Sequence, residues 1–333
     1  MKKAFVASML LLLATGLALT AAGRPKGWFV EGALGFSLLD PGDLNARPEG
    51  QQALTDFTYR AGYEALQRTA GGTFTYSLAQ EEGSGLEGIQ GGLPIVLRFG
   101  RQLGPRVAAF VGLQFLGQRR TSTLQQDYRV RDRRPDQVTP GDYRVEIAYP
   151  DYFLAASAWI PQLGVTVELA RKKNWAAGVR LAAGPMFAAL RTIEAQHILR
   201  TEADGYWTES RYVYDMKGRG VGIAAEAMAR LALPLSPRLG LDIEAGYALR
   251  RGSRFSGPGS YESQYRDANA ARDPVRYAWE DGEWRTRRLQ VQRLWGDLAY
   301  TLSGNDLAAY ADSGPFRLDL SGAQLSVGLS LAL

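Results

Sequence analysis

The chain has 333 residues, no cysteine, one histidine, and 39 basic against 34 acidic side chains, for a net charge of only +5. The absence of cysteine excludes a disulfide framework, a thiolate metal site and a lipidated N-terminal cysteine, and a lone histidine excludes a multi-histidine metal centre. Acids interleaved among the bases, with no basic stripe carrying stacking aromatics, argue against nucleic-acid binding.

The chain opens with an export signal. Lys2 and Lys3 form a basic segment, Ala4 to Leu19 an apolar one, and Ala21-Ala22-Gly23 supplies small residues for cleavage. Residues 1–23 are therefore expected to be a signal peptide, and 24–333 a single barrel domain. An uncleaved transmembrane helix is the competing reading; it is set aside because the cleavage site sits where cleavage needs it. Beyond the signal no apolar run approaches the length of a spanning helix, so the chain is either soluble or crosses a membrane as strands.

Period-two alternation then recurs along the sequence. Trp28, Val30, Gly32, Leu34, Phe36 and Leu38 share one face, with Phe29, Glu31, Ala33, Gly35 and Ser37 on the other. Ile89 to Phe99, Val107 to Phe115, Trp159 to Leu169 and Trp175 to Phe187 repeat the pattern, as do Val221 to Leu233, Leu239 to Leu249 and Leu325 to Leu333. That makes eight strands. The opposite face is mostly Gly, Ala, Ser and Gln with scattered charges. Small residues suit the cramped interior of an eight-strand barrel, whereas a continuous apolar exterior suits lipid. A soluble barrel is expected to carry a charge-dense outer face instead. Trp28, Phe99 and Trp175 fall at one end of their strands and Phe36, Phe115, Phe187 and Tyr247 at the other, as two interfacial girdles require.

Connection lengths alternate. Short links at Arg101 to Arg106, Arg171 to Asn174 and Pro234 to Arg238 separate long ones at Leu39 to Gly88, Arg119 to Pro150, Arg191 to Lys217 and Arg251 to Arg317. Outer-membrane barrels show this asymmetry, with short periplasmic turns and long external loops, which places both termini in the periplasm. The fold class expected is an all-β, antiparallel up-and-down transmembrane barrel of about eight strands. A count of ten to twelve is the alternative, if the long links hold extra strand pairs. Two stretches in those links show helical spacing, Ala53 to Arg68 and Arg285 to Leu302, and read as lids or partial plugs.

On this pattern the chain resembles the small eight-stranded outer-membrane β-barrel family typified by the transmembrane barrel of outer-membrane protein A. The resemblance is architectural and spans the mature chain, with no diagnostic motif. It implies residence in the bacterial outer membrane, partners among outer-membrane lipid and the barrel-assembly machinery, and a monomer. The chain departs from the family in ending on Leu333 where an aromatic residue usually stands, and in carrying no peptidoglycan-binding domain after the barrel.

Chemical motifs are sparse. Gly83 to Gly88 matches dinucleotide-loop spacing but lacks the preceding strand and following helix. His197 has only Ser210 and Glu194 as conceivable helpers, and they form no known signature. No catalytic residue, cofactor or metal is expected. Arg129, Arg131, Arg133, Arg134, Arg285, Arg287 and Arg288 lie in external links. Arginine forks suit lipopolysaccharide phosphates, although the interleaved acids argue for a merely solvated surface.

The most specific chemistry expected is inside the barrel. Glu31 and Arg98 sit at similar height on neighbouring strands and point inward. Arg230 and Asp242 are placed face to face across the turn at Pro234 to Arg238, with Glu168 in the same layer and Arg180, Glu226 and Glu244 in the next. Charges in a narrow lumen need partners. The function expected is therefore structural or surface-binding, with the lumen closed by paired charges. A porin-like small-solute channel is the first alternative and a lipid-modifying outer-membrane enzyme the second.

Overall fold

Alternation of apolar and small or charged residues is what closes this sheet, because each strand can turn one face out and one in. The computed structural model describes residues 27–39, 41–81, 84–134, 141–289 and 311–333. The expected signal peptide over 1–23 lies outside the described residues. The strands are β1 (Trp28–Leu38), β2 (Phe74–Gln80), β3 (Gly91–Gln102), β4 (Val107–Asp132), β5 (Gly141–Lys172), β6 (Trp175–Glu202) and β7 (Trp207–Pro234). They continue with β8 (Leu239–Asp267), β9 (Val275–Glu283), β10 (Arg285–Leu289), β11 (Ala311–Pro315), β12 (Arg317–Asp319) and β13 (Gly322–Ala332). Helices α1 (Asp43–Asp56) and α2 (Gly62–Thr69) are joined by a π-helical turn at Phe57–Ala61.

Eight of these strands form a closed antiparallel ring, β1-β3-β4-β5-β6-β7-β8-β13, with β13 returning to β1. The extra strands of the long links do not enlarge it: β2 pairs with β4, β9 and β12 with β8, and β10 with β11. On the ring's outer surface Leu34, Leu38, Leu93, Leu163, Leu181, Ile223 and Leu329 are all exposed, Leu163 at 70 %. Aromatics bracket this belt. Trp28 stacks on Phe99 at 4.8 Å at one rim, and Phe115 meets Trp159 at 4.7 Å toward the other.

The long links differ from the sequence expectation. Arg119 to Pro150 and Arg191 to Lys217 are mostly strand, as is the first part of Arg251 to Arg317, because β4 through β8 run on for 26 to 32 residues. β1, β3 and β13 have 11 to 12 residues, about what one membrane crossing needs. The five long strands, flanked by β2 and β9, therefore stand far past the belt as a curved open wall. A change of face makes the extension look like loop to a single alternation pattern. On β4 the apolar residues Val111 and Leu113 point out within the belt, but Leu116, Leu124, Tyr128 and Val130 point in and are buried. Bulges between Ser122 and Leu124, and between Ala148 and Asp151, interrupt the period further.

What the wall faces explains the switch. α1 and α2 lie against its inner surface over Tyr128, Val145, Ile147, Tyr149 and Leu154, forming an apolar core that continues through Phe74, Phe255, Trp284, Phe316 and Leu320. The helix expected near Ala53 to Arg68 is thus present and longer, running from Asp43 to Thr69 with its π turn. Of the helix expected over Arg285 to Leu302, the first part, Arg285–Leu289, is instead strand β10, and the remainder lies outside the described residues.

Candidate functional site: a charged lumen beneath an apolar cap

Inward positions of the ring stack in layers from the short-turn end to the wall. At mid-height Arg98 on β3 donates to Glu31 Oε1 at 2.5 Å, to Glu244 Oε2 at 3.0 Å and to Glu226 Oε1 at 3.2 Å. Arg180 on β6 donates to both oxygens of Glu31 at 2.6 Å, to Glu244, and through Nε to Thr166 Oγ1 at 3.0 Å. Both guanidinium groups also lie over the Phe110 ring, at 5.5 and 5.3 Å. Glu31 and Arg98 are direct cross-strand partners. Two arginines and three glutamates from five strands thus meet in one layer, and Glu31, Arg98, Arg180 and Glu244 are each at most 2 % exposed.

Arg180, Glu226 and Glu244 accordingly belong to the layer of Glu31 and Arg98 rather than to one above it. Arg230 reaches Asp242 at 2.5 Å one step toward the short turns, but the residue directly opposite Arg230 is Glu244, while Asp242 faces Ala232. The pair is therefore diagonal. Counting from the turn misplaced it by two residues because Leu235 and Ser236 both bond to Leu239 and tighten the hairpin. Glu168 is not in the network. It is held by Arg171 at 2.5 Å near the short turns, where a bulge between Glu168 and Ala170 re-aims the strand.

Above the ionic layer the sequence reading missed Arg250, which is 1 % exposed. It donates to Gln324 Oε1, to Gln114 Oε1 at 3.3 Å and to the Leu320 carbonyl at 3.3 Å, and Gln162 joins Gln114 at 3.3 Å. Its parity was the available signal, since Asp242, Glu244 and Arg250 all fall on the same inward face of β8. Higher still the lumen becomes apolar, with Leu116, Ala158, Ile160 and Met186 fully buried. The cap is pinned through Tyr149, whose hydroxyl meets Gln51 at 2.8 Å, Thr55 at 3.0 Å and Gln196 at 2.7 Å. Arg47 of α1 pairs with Glu194 at 2.7 Å. Burial pushes the Tyr63 and Tyr149 phenols up, keeping them neutral within this core.

The external arginines of β4 and the residues just after it, Arg129 to Arg134, are paired with carboxylates. Arg129 lies 3.8 Å from Asp127, Arg131 and Arg133 lie 3.7 and 2.8 Å from Asp142, and Arg134 grips Asp132 at 2.9 Å. The hydrogen bond from Arg134 holds the Asp132 carboxyl below the usual range. Arg285, Arg287 and Arg288 are in β10, opposite Pro315, Ser313 and Asp312 of β11. His197 contacts Glu209 at 2.7 Å, which Arg211 also holds at 2.7 Å, whereas Glu194 is engaged elsewhere and Ser210 faces Ile198. Partial burial raises the Glu209 carboxyl, but hydrogen bonds from Arg211 and His197 outweigh it and leave it lowered.

The Arg230 to Asp242 contact separates a dry lumen from a wet one. Asp242 is nearly inaccessible and Arg230 keeps 14 % of its side chain exposed, so the coupling in a double-mutant cycle is expected to exceed the roughly 1 kcal/mol ceiling of solvent-exposed pairs. Urea unfolding of R230A, D242A and the double variant in micelles measures it. Coupling near zero marks a solvated pair.

A closed ring of eight antiparallel strands, sheathed in outward Leu, Val, Phe and Trp around a charged interior, defines the class: a β-barrel of the outer-membrane type. Among solved structures it is similar to a major outer membrane protein of Thermus thermophilus, at 11 % identity and TM-score 0.29, covering 92 % of this chain and all of that one. It is also similar to the outer membrane protease OmpT of Escherichia coli, at 9 % identity and TM-score 0.26, covering 93 % and 97 %. No family model and no curated protein matches the chain. The fold rests on the strand pairing rather than on these similarities.

Proposed function

We propose that the chain is an integral outer-membrane barrel of the structural or surface-binding kind, with a sealed lumen and its working surface on the tall external wall. One observation carries this: the mid-lumen layer of Glu31, Arg98, Arg180, Glu226 and Glu244 is roofed by the Arg250 layer and then by an apolar core, so that closed layers follow one another along the barrel axis. An eight-strand interior is just wide enough for side chains to fill, which is consistent with such a stack acting as a plug. A small-solute channel needs a continuous polar path in its place. Proteoliposomes carrying the refolded barrel are expected to swell in glucose no faster than empty ones, and rapid swelling overturns the sealed reading.

The lipid-modifying alternative draws no support from His197, which contacts a carboxylate already shared with Arg211. Outer-membrane lipid is the partner proposed for the belt. The wall arginines, paired as they are, favour contacts with mixed polar surfaces over a dedicated lipopolysaccharide clamp. Embedding is tested at Leu163, whose side chain points outward in the middle of the belt. Leu163→Arg is expected to cost about 2–4 kcal/mol of folding free energy in lipid, falling toward 0–1 kcal/mol if the same change is made near the rim. No penalty at Leu163 places this face in water.

A further inference from the structure

At the short-turn end the lumen widens into a vestibule of about 540 Å³ whose walls are strongly basic. Arg106 comes from the β3 to β4 turn, Lys172 and Lys173 from the β5 to β6 turn, and Arg238 from the β7 to β8 turn, with Arg230 toward the barrel interior. Glu168 is the one carboxylate in the lining, and Arg171 already occupies it through two hydrogen bonds of 2.6 Å. Arg230 is likewise engaged by Asp242. Arg106, Lys172, Lys173 and Arg238 have no carboxylate within 4.0 Å among the described residues, in contrast to Arg129, Arg131, Arg133 and Arg134 on the wall. A second observation lies deeper. The Nε of Arg230 is buried without a hydrogen-bond partner among the described residues, as are both carboxylate oxygens of Asp242, its ion-pair partner, so the Arg230 side chain that lines the vestibule is incompletely satisfied by the protein.

We propose that this vestibule is a binding site for a phosphate-bearing anion presented from the short-turn side of the membrane. Four uncompensated cations converging from three turns favour a multivalent anion over a single carboxylate, and the guanidinium groups supply forked donors that match phosphate oxygens. The lining runs from the turns inward past Arg230 to Thr166 and Arg180 of the mid-lumen layer, so a group that enters end-on between the turns meets cations along its whole path. The site does not depend on the lumen above being sealed, so its failure and the failure of that reading are separable.

The rim carries its own reporter, Trp175, with Lys172 Nζ 5.6 Å from its ring centroid. The full-length barrel in uncharged detergent micelles is titrated with inorganic pyrophosphate while tryptophan fluorescence is followed, with W175F as the control for signal origin. Saturable binding that weakens with added salt is expected, together with a loss of roughly ten-fold or more in affinity when Arg106→Gln and Arg238→Gln are combined. R129Q combined with R131Q on the wall leaves affinity unchanged. Retained heat-dependent migration on gels shows that each variant is folded. No saturable response, or one that survives the R106Q and R238Q combination, overturns the proposal. A response obtained only when phosphatidylglycerol is added to the micelles, and never with pyrophosphate, reassigns the cations to lipid headgroups at the rim and also overturns the vestibule as a site for an entering anion.

Discussion

Arg180→Met is expected to lower the unfolding free energy of the barrel by about 3–5 kcal/mol, the usual cost of removing one partner from a buried ionic cluster. Arg180 is the densest node of the lumen. It serves both oxygens of Glu31, reaches Glu244, and is braced by Thr166 below and the Phe110 ring beside it. Methionine conserves much of the volume, so the loss reports charge and hydrogen bonding rather than a cavity. What remains is a set of carboxylates at Glu31, Glu226, Glu244 and Asp242 with only Arg98 and Arg230 in contact to offset them. Adding Glu31→Gln to Arg180→Met restores the original balance and is expected to recover part of the loss. Urea titrations of the single and double variants in micelles provide the measurement. A single variant as stable as the unchanged protein shows that water, not Arg180, solvates the carboxylates.

The second large effect belongs to the external cap. Phe74→Ala is expected to destabilise the wall and its helices by about 3 kcal/mol, the lower end of the range for emptying a packed aromatic site. Phe74 is fully buried, meets Tyr63 of α2 at 5.8 Å and lies under the Arg134 guanidinium at 5.5 Å. It is the first residue of β2, opposite Asp132 at the tip of β4, so its loss loosens both the edge strand and the helix above it. The belt below is held by separate pairings. The expected signature is therefore local: trypsin cuts after Arg60 or Arg68 at a raised rate while the ring stays folded. Equal cleavage rates in the variant and the unchanged protein contradict a cap that packs through Phe74.

How much of this was legible in the sequence follows from which solvent each face meets. Along the belt every strand has lipid outside and small or charged groups inside, so one rule, apolar outward, located all eight ring strands from Trp28 to the C-terminal Leu325 stretch. Beyond the belt the rule inverts, because the inner face meets α1 and α2 while the outer face meets water. A single alternation template stops at that crossing and reports a loop. The hairpin at β6 and β7 did leave a local sign. Asp204-Gly205, with Gly205 at φ 86°, sits between two runs of alternating residues and is a strong hairpin signal. The ionic layer was partly legible, since parity alone put Glu31, Arg98, Arg180, Glu226, Arg230, Asp242 and Glu244 on inward faces. Height was harder to read. The tight β7 to β8 turn shifted Arg230 opposite Glu244, and the bulge at Glu168 carried that carboxylate down to Arg171. Neither a turn's tightness nor a bulge is written in the alternation itself.

A lumen closed along its axis by stacked side chains, ionic at mid-height and apolar above, is the feature on which the proposed function stands. Steady-state ion conductance of the refolded protein across a planar lipid bilayer tests it most directly. A silent bilayer is expected, with at most brief events while the cap opens, and a conductance that appears when R98A and R180A together remove the cations of the mid-lumen layer under a loosened F74A cap. Persistent, ohmic current through the unchanged protein contradicts the closed lumen and makes the small-solute channel the better description of the chain.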